Sequence, residues 1–208
     1  MTEIIENSAQ LGLLTVWTVL AGAYAIRSAH RDGALLPLFY GSYVLGDIYW
    51  LLYLIFYGET PYIFYVSYIS WYAGYLFLYL LLLRVSTSEE RKENHPVLWL
   101  LPLFTAAMGI YYMQWGDYAG NLISAVLMTL LLWHAVRGLI HIRSNPEAAP
   151  RRFLYITVLV FCALEYAAWT ASCFFSGDTL ANPYFWFDFM MTPCAMLILP
   201  AYRKAVEA

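Results

Sequence analysis

The 208-residue chain is 62% apolar and only 12% charged, which excludes an ordinary soluble domain of this size. Its net charge of −3 gives no reason to expect a nucleic-acid partner. The length suits a single transmembrane domain over residues 1–208 without an additional soluble effector domain. We expect no cleavable signal sequence, because the first residues, MTEIIENS, are acidic where such a signal is basic.

Seven segments are apolar over the roughly 20 residues that a helix needs to cross the bilayer core. A helix satisfies its own backbone groups in lipid, so the sequence predicts an all-α polytopic membrane protein with seven transmembrane helices. The predicted spans are residues 10–27, 34–57, 61–84, 96–114, 118–139, 152–175 and 184–202.

The second predicted helix carries an acid, Asp47, inside an apolar run. Tyr40, Tyr43 and Trp50 share a helix face with it. An ionisable side chain within a membrane span is energetically costly and marks a candidate functional site. We therefore place Asp47, Tyr43 and Trp50 in a candidate ligand- or proton-binding site.

The third predicted helix has a stripe of tyrosines spaced three and four residues apart, which places them on one face. They are Tyr65, Tyr68, Tyr72, Tyr75 and Tyr79. A tyrosine facing lipid at mid-depth would leave its hydroxyl unbonded, so the stripe should face the bundle interior. Tyr68 and Tyr72 join the candidate site, because aromatic walls beside acids suit a cation or a stacked ring. Packing of rings with hydroxyls bonded across helices explains the same stripe without a ligand.

The middle of the chain gives weaker signals. We interpret residues 86–94 as a solvated loop and the four histidines as interfacial residues, because no histidine has a partner at metal-ligand spacing. The three cysteines also lack such spacing. The sequence shows no nucleophile–base pair, phosphate-binding loop or HExxH motif. We therefore expect no cofactor, metal site or catalytic residue.

The sixth and seventh helices add two acids, Glu165 and Asp188, and Trp169 lies one turn after Glu165. Asp47 and Glu165 should lie at similar depth, with Asp188 nearer the outer surface. Burial disfavours charged carboxylates, so we expect some of these acids to hold a proton at neutral pH. They would then either bind a ligand or lock helices together as neutral hydrogen-bonding groups. Seven further aromatic residues are interpreted as an interfacial belt: Tyr57, Tyr62, Tyr111, Tyr112, Trp115, Tyr184 and Trp186.

Charged loop residues predict the orientation. Lys and Arg occur in the first, third and fifth loops and in the C-terminal tail. The charged residues of the even-numbered loops are all acidic: Glu59, Asp117 and Asp178. By the positive-inside rule the N-terminus lies outside and the C-terminus in the cytoplasm, in a cell (inner) membrane.

The sixth helix and the turn after it repeat the order of residues around Asp47. The matched pairs are Asp47 and Glu165, Trp50 and Trp169, Gly58-Glu59-Thr60 and Gly177-Asp178-Thr179, and Pro61-Tyr62 and Pro183-Tyr184. We interpret this order as an internal duplication, with repeats 10–84 and 118–202 joined by a linker helix at 96–114. Because one helix separates two three-helix units, the repeats would be parallel.

This 3+1+3 layout, with the N-terminus outside, resembles the SWEET and PQ-loop transporters, the nicotinamide riboside transporters and the KDEL receptors. The resemblance covers the whole chain and concerns architecture alone. No proline is followed by glutamine, so the PQ-loop signature is absent and no family residue is carried over. Microbial rhodopsins need a lysine in the seventh helix, and residues 184–202 contain none.

Three functions remain open. The first is a transporter or facilitator that binds a small-molecule or cationic ligand in an acidic and aromatic cavity in the outer half of the membrane. The second is a ligand-binding sensor that signals through a separate partner. The third is an intramembrane hydrolase, since Gly46-Asp47 resembles a Gly-Asp pair of lysoplasmalogenase-like enzymes; its clustered acids would activate water. We favour a protein that is not an enzyme. The bilayer is its certain partner, and whether it forms a homo-oligomer stays open.

Overall fold

The computed structural model describes residues 2–28, 31–61, 65–177 and 180–207, and all of their regular secondary structure is helical. This confirms the all-helical part of the predicted fold. Four residues used in the sequence predictions, His30, Tyr62, Asp178 and Thr179, lie outside the described residues. The α-helices are α1 (Thr2–Arg27), α2 (Leu35–Tyr57), α3 (Tyr65–Val85), α4 (Leu100–Tyr112), α5 (Tyr118–Ser144), α6 (Arg152–Phe174), α7 (Pro183–Met196) and α8 (Ile198–Val206).

Within the described residues, seven helical stretches are long and apolar enough to cross a membrane, as the sequence predicts. Their lengths run from 20 to 29 residues, which matches a bilayer core of about 30 Å. These seven stretches indicate an integral membrane protein. The stretches are Glu3–Arg27, Asp32–Tyr57, Tyr65–Val85, Pro96–Trp115, Tyr118–Ser144, Pro146–Phe174 and Pro183–Val206.

The first helix begins at Thr2, well before the predicted start at residue 10. The polar residues of its first turns recur every three or four positions, so they lie on one helix face. They are Glu3, Glu6, Asn7 and Gln10. An acidic first turn also suits the positive end of the helix dipole. The residues before the predicted span therefore belong to α1 and give it a polar face.

The seventh predicted span is divided at Leu197 into α7 and α8. Pro200 has no backbone N–H for the carbonyl of Met196, which favours a break at this point. The backbone N–H of Leu197 instead donates to the carbonyl of Cys194 at 3.1 Å, in a tighter turn than that of an α-helix.

The chain forms two compact units, and the first comprises Met1–Leu78 and Leu164–Pro193. In this unit α1 packs along α2. Two glycines allow aromatic rings to approach the backbones of α2 and α3. A Cβ added at Gly46 would lie 2.6 Å from Nε1 of Trp71, and one added at Gly74 would lie 2.6 Å from Cε2 of Tyr43. These contacts fix two side chains of the candidate site described below.

The helix α2 ends at Tyr57 and is capped by Gly58, which has a φ of 74° and donates its N–H to the carbonyl of Leu54 at 3.0 Å. Gly177, shortly after the end of α6, also has a positive φ, 108°. Glycine adopts this left-handed conformation without steric cost, which explains its use at both helix ends.

The second unit comprises Tyr79–Ala163 and Cys194–Ala208. Its helices α4 and α5 pack closely as a hairpin: the hydroxyls of Thr105 and Thr129 lie 2.5 Å apart, and a Cβ added at Gly109 would lie 3.1 Å from that of Ala125. Small residues commonly allow membrane helices to approach in this way.

Candidate ligand-binding site

Four acidic side chains from four helices of the first unit interact with one another. They are Glu6 on α1, Asp47 on α2, Glu165 on α6 and Asp188 on α7. Asp188 is half-buried, and it interacts electrostatically with each of the other three acids. Glu6, Asp47 and Glu165 are only 6%, 7% and 3% exposed. The fold thus collects carboxyl groups that are far apart in sequence.

Gln10 connects the acids of α1 and α7. Its side-chain amide donates hydrogen bonds to Oε1 of Glu6 and, at 3.2 Å, to Oδ2 of Asp188. Glu6 and Asp188 also hydrogen-bond to each other through their side chains. Gln10 is 178 residues from Asp188 in sequence, so this contact connects the first span to the seventh.

Asp47 is held by an aromatic side chain of α3. Nε1 of Trp71 donates to Oδ1 of Asp47 at 3.4 Å. The other oxygen, Oδ2, accepts no hydrogen bond from any described residue. One turn later on α2, Nε1 of Trp50 donates to Glu3 at 3.3 Å, which links α2 to the start of α1.

Glu165 is held by two tyrosines. The hydroxyl of Tyr43 donates to Oε1 of Glu165 at 3.3 Å, and Tyr75 also hydrogen-bonds to this carboxyl group. The rings of Tyr43 and Tyr75 are in edge contact, with centroids 6.2 Å apart. The carboxyl group of Glu165 therefore has more hydrogen-bond partners than that of Asp47.

A continuous series of aromatic contacts runs beside the acids. Trp71 contacts both Trp50 and Tyr68, with ring centroids 5.9 Å apart in each pair. Tyr68 contacts Tyr72 at 5.9 Å, and Tyr72 contacts Tyr75 at 6.4 Å. These rings supply several π-faces near the carboxyl groups, which is the arrangement that attracts organic cations.

The structure brings most of the predicted site residues together. Asp47, Glu165 and Asp188 interact, and Tyr43, Trp50, Tyr68 and Tyr72 reach them directly or through Trp71 and Tyr75. Trp169 is in edge contact with Tyr166 of its own helix, at 5.4 Å.

Sequence reasoning missed the contribution of α1 and of the start of α7. Glu6 and Gln10 were not predicted as site residues, although the three- and four-residue spacing of polar side chains from Glu3 to Gln10 is a detectable signal. Tyr184 was interpreted as part of the interfacial belt. In the structure it interacts electrostatically with Asp188, Glu6 and Glu165.

Basic residues are scarce in the sequence of the first unit. The first unit contains just two Lys or Arg residues, Arg27 and Arg31. Arg27 follows Glu3 by 24 residues on α1, which is about 36 Å of helix. Among the described residues, no three His, Cys, Asp or Glu side chains are placed to hold a metal ion. Among the described residues, no lysine or arginine contributes to the electrostatic surroundings of Glu6, Asp47, Glu165 or Asp188.

A different kind of acidic site occurs in the second unit. Glu90 is 1% exposed, pairs with Nη1 of Arg151 at 2.8 Å and accepts a hydrogen bond from the hydroxyl of Tyr155 at 2.5 Å. Nearby, Nη2 of Arg137 lies 2.9 Å from Nδ1 of the buried His134. The interpretation of residues 86–94 as a solvated loop is therefore wrong at Glu90.

No family model, curated protein or solved structure matches the chain.

Proposed function

We propose that this integral membrane protein is a transporter or facilitator for a small solute, which binds among the acids and aromatic rings of the first unit. The observation that carries the proposal is the convergence of four acids from four helices, with no basic partner among the described residues: Glu6, Asp47, Glu165 and Asp188. Carboxyl groups in membrane spans are costly, and they commonly mark substrate or ion pathways. An exclusively structural role would favour neutralised pairs, because unpaired like charges repel.

The proposal includes an external N-terminus, a cytoplasmic C-terminus and a parallel 3+1+3 repeat with halves at 10–84 and 118–202. The distribution of Lys and Arg among the loops supports the orientation. The positive φ values of Gly58 and Gly177, at matched positions after α2 and α6, support the repeat. Parallel repeats around a central site are a common architecture of small transporters.

Cysteine labelling tests the proposal without knowledge of the solute. Cys162, Cys173 and Cys194 are replaced by alanine, and Tyr72→Cys then places one thiol in the site. A transporter exposes its site alternately to both sides of the membrane. A membrane-impermeant sulfonated thiol reagent should therefore label Tyr72→Cys in both right-side-out and inside-out vesicles.

Two exposed positions serve as controls. Trp115→Cys should react only from outside and Arg143→Cys only from the cytoplasmic side; the reverse pattern would overturn the orientation. Labelling of Tyr72→Cys from the outside alone would contradict transport and favour a sensor. If the reagent labelled it from neither side while both controls reacted, the site would not be an aqueous binding site.

A further inference from the structure

The unpartnered oxygen of Asp47 indicates what the bound solute must provide. Asp47 is 7% exposed, and its Oδ2 accepts no hydrogen bond from any described residue. A buried acceptor left without a donor costs about 1–3 kcal/mol. A ligand that donates a hydrogen bond to Oδ2 would remove this cost, so the ligand should carry an N–H or O–H group.

The acidic surroundings of Asp47 favour a positively charged hydrogen-bond donor on the ligand. Asp188 and Glu6 interact electrostatically with Asp47, and the amide of Gln10 holds these two carboxyl groups in fixed positions. A neutral hydroxyl would leave the mutual repulsion of the acids unchanged. A protonated amine would both donate to Oδ2 and neutralise charge, and charge-assisted hydrogen bonds are stronger than neutral ones.

The aromatic rings near Asp47 favour an organic cation as the ligand. Trp71 donates to Asp47 through its indole N–H, and Trp50 and Tyr68 are in ring contact with Trp71. A π-face within about 6 Å attracts an ammonium group, and the same rings can contact the apolar part of a ligand. A quaternary ammonium would use the rings but has no N–H for Oδ2.

We infer that the solute is a small organic molecule with a protonated primary amine, which donates to Oδ2 of Asp47 and is neutralised by Asp188 and Glu6. This inference rests on the proposed function, since it names the class of solute for the same site. It also makes Glu6 of α1 a binding-site residue and Gln10 a positioning residue, in addition to the site residues that the sequence predicts.

Three matched probes test the inference by calorimetric titration of the full chain in detergent. They are phenethylamine, its neutral isostere 2-phenylethanol and trimethyl(phenethyl)ammonium, which keeps the charge and lacks N–H donors. Phenethylamine should bind, the trimethylated probe should bind at least about tenfold more weakly, and the alcohol should show no binding. Equal affinities for phenethylamine and either other probe, or no binding of phenethylamine, would overturn the inference.

Amide variants then locate the binding site. Asp47→Asn should weaken phenethylamine binding at least about tenfold, and Gln10→Ala should weaken it less, because Gln10 positions acids without contacting the amine. Glu147→Gln makes the same carboxyl-to-amide change at an exposed residue of the second unit and should bind like the unaltered protein. If Asp47→Asn fails to fold as a monodisperse protein, Asp188→Asn replaces it. Unchanged affinity in a folded Asp47 or Asp188 variant would contradict the assignment.

The inference and the proposed function can fail separately. Phenethylamine binding with labelling of Tyr72→Cys from one side only would keep the amine site and reject transport. Labelling from both sides without phenethylamine binding would keep transport and reject the amine.

Discussion

Asp47 in the first unit and Glu90 in the second are both buried carboxylic acids, and their surroundings differ in charge and in hydrogen bonding. Glu90 has an arginine at 2.8 Å and a tyrosine hydroxyl at 2.5 Å. Asp47 has one indole donor at 3.4 Å, an oxygen that accepts no hydrogen bond from a described residue, and two other acids as neighbours. Glu90 thus shows how this chain satisfies a structural acid, and Asp47 departs from that pattern. This difference supports the proposed binding site around Asp47 and a structural role for Glu90.

The largest expected effect on stability comes from removing Glu90. Glu90→Ala leaves the guanidinium of Arg151, whose side chain is 14% exposed, without its carboxylate. Breaking a buried ion pair by removing one partner costs about 3–5 kcal/mol. The midpoint of thermal unfolding in detergent should therefore fall by several degrees. Glu147→Ala, at an exposed position, should leave it nearly unchanged, and a similar midpoint for both variants would refute the structural role of Glu90.

A smaller effect is expected from adding one methyl group beside Asp47. In Gly46→Ala, the new Cβ would lie 2.6 Å from Nε1 of Trp71, so the indole that donates to Asp47 must move. Overpacking of this kind costs about 1–3 kcal/mol, and binding of phenethylamine should weaken as well. Gly12→Ala is a matched control on α1, since its added Cβ meets nothing within 4 Å. Equal stability and binding in the two variants would show that the position of Trp71 is unimportant.

The smallest effect on stability should come from the double change Asp47→Asn and Glu165→Gln. Amides keep the shape of the acids and remove repulsion, so we expect the free energy of unfolding to stay within about 1 kcal/mol of that of the unaltered protein. Solute binding should nevertheless be lost. Glu90→Gln makes the same acid-to-amide change but removes the ion pair with Arg151. It should therefore lower the unfolding midpoint. Retained binding in the double variant would exclude a carboxylate site and leave the aromatic packing alone.

The seven spans and the acids on α2, α6 and α7 could be predicted because both depend on local sequence. A run of about 20 apolar residues predicts a span, and an acid inside it is conspicuous. The role of α1 was missed because Glu6 precedes the predicted span and Gln10 is its first residue, where polar residues usually indicate a solvated end. Their helical spacing was the available signal, but spacing alone does not identify the helix that a polar face contacts.

The partners of the acids could not be predicted for a different reason. Whether a carboxyl group is neutralised depends on contacts between residues distant in sequence, such as Glu90 with Arg151, 61 positions away. Loop composition favours solvent exposure for Glu90, and only tertiary packing buries it. The same limit applies to Asp47, since nothing in the sequence distinguishes an oxygen that has a donor from one that lacks it.

The hydrogen bonds of Gln10 also constrain the order in which the molecule can be completed during synthesis. Gln10 lies on α1, and its partner Asp188 is synthesised 178 residues later, on α7. The nascent chain must therefore hold Glu6 and Asp47 in the membrane without Asp188 and Gln10 in their final contact. By contrast, the α4–α5 hairpin contact between Thr105 and Thr129 spans 24 residues and can form as soon as α5 is inserted. Insertion of α7 is thus the step that brings Asp188 to Gln10.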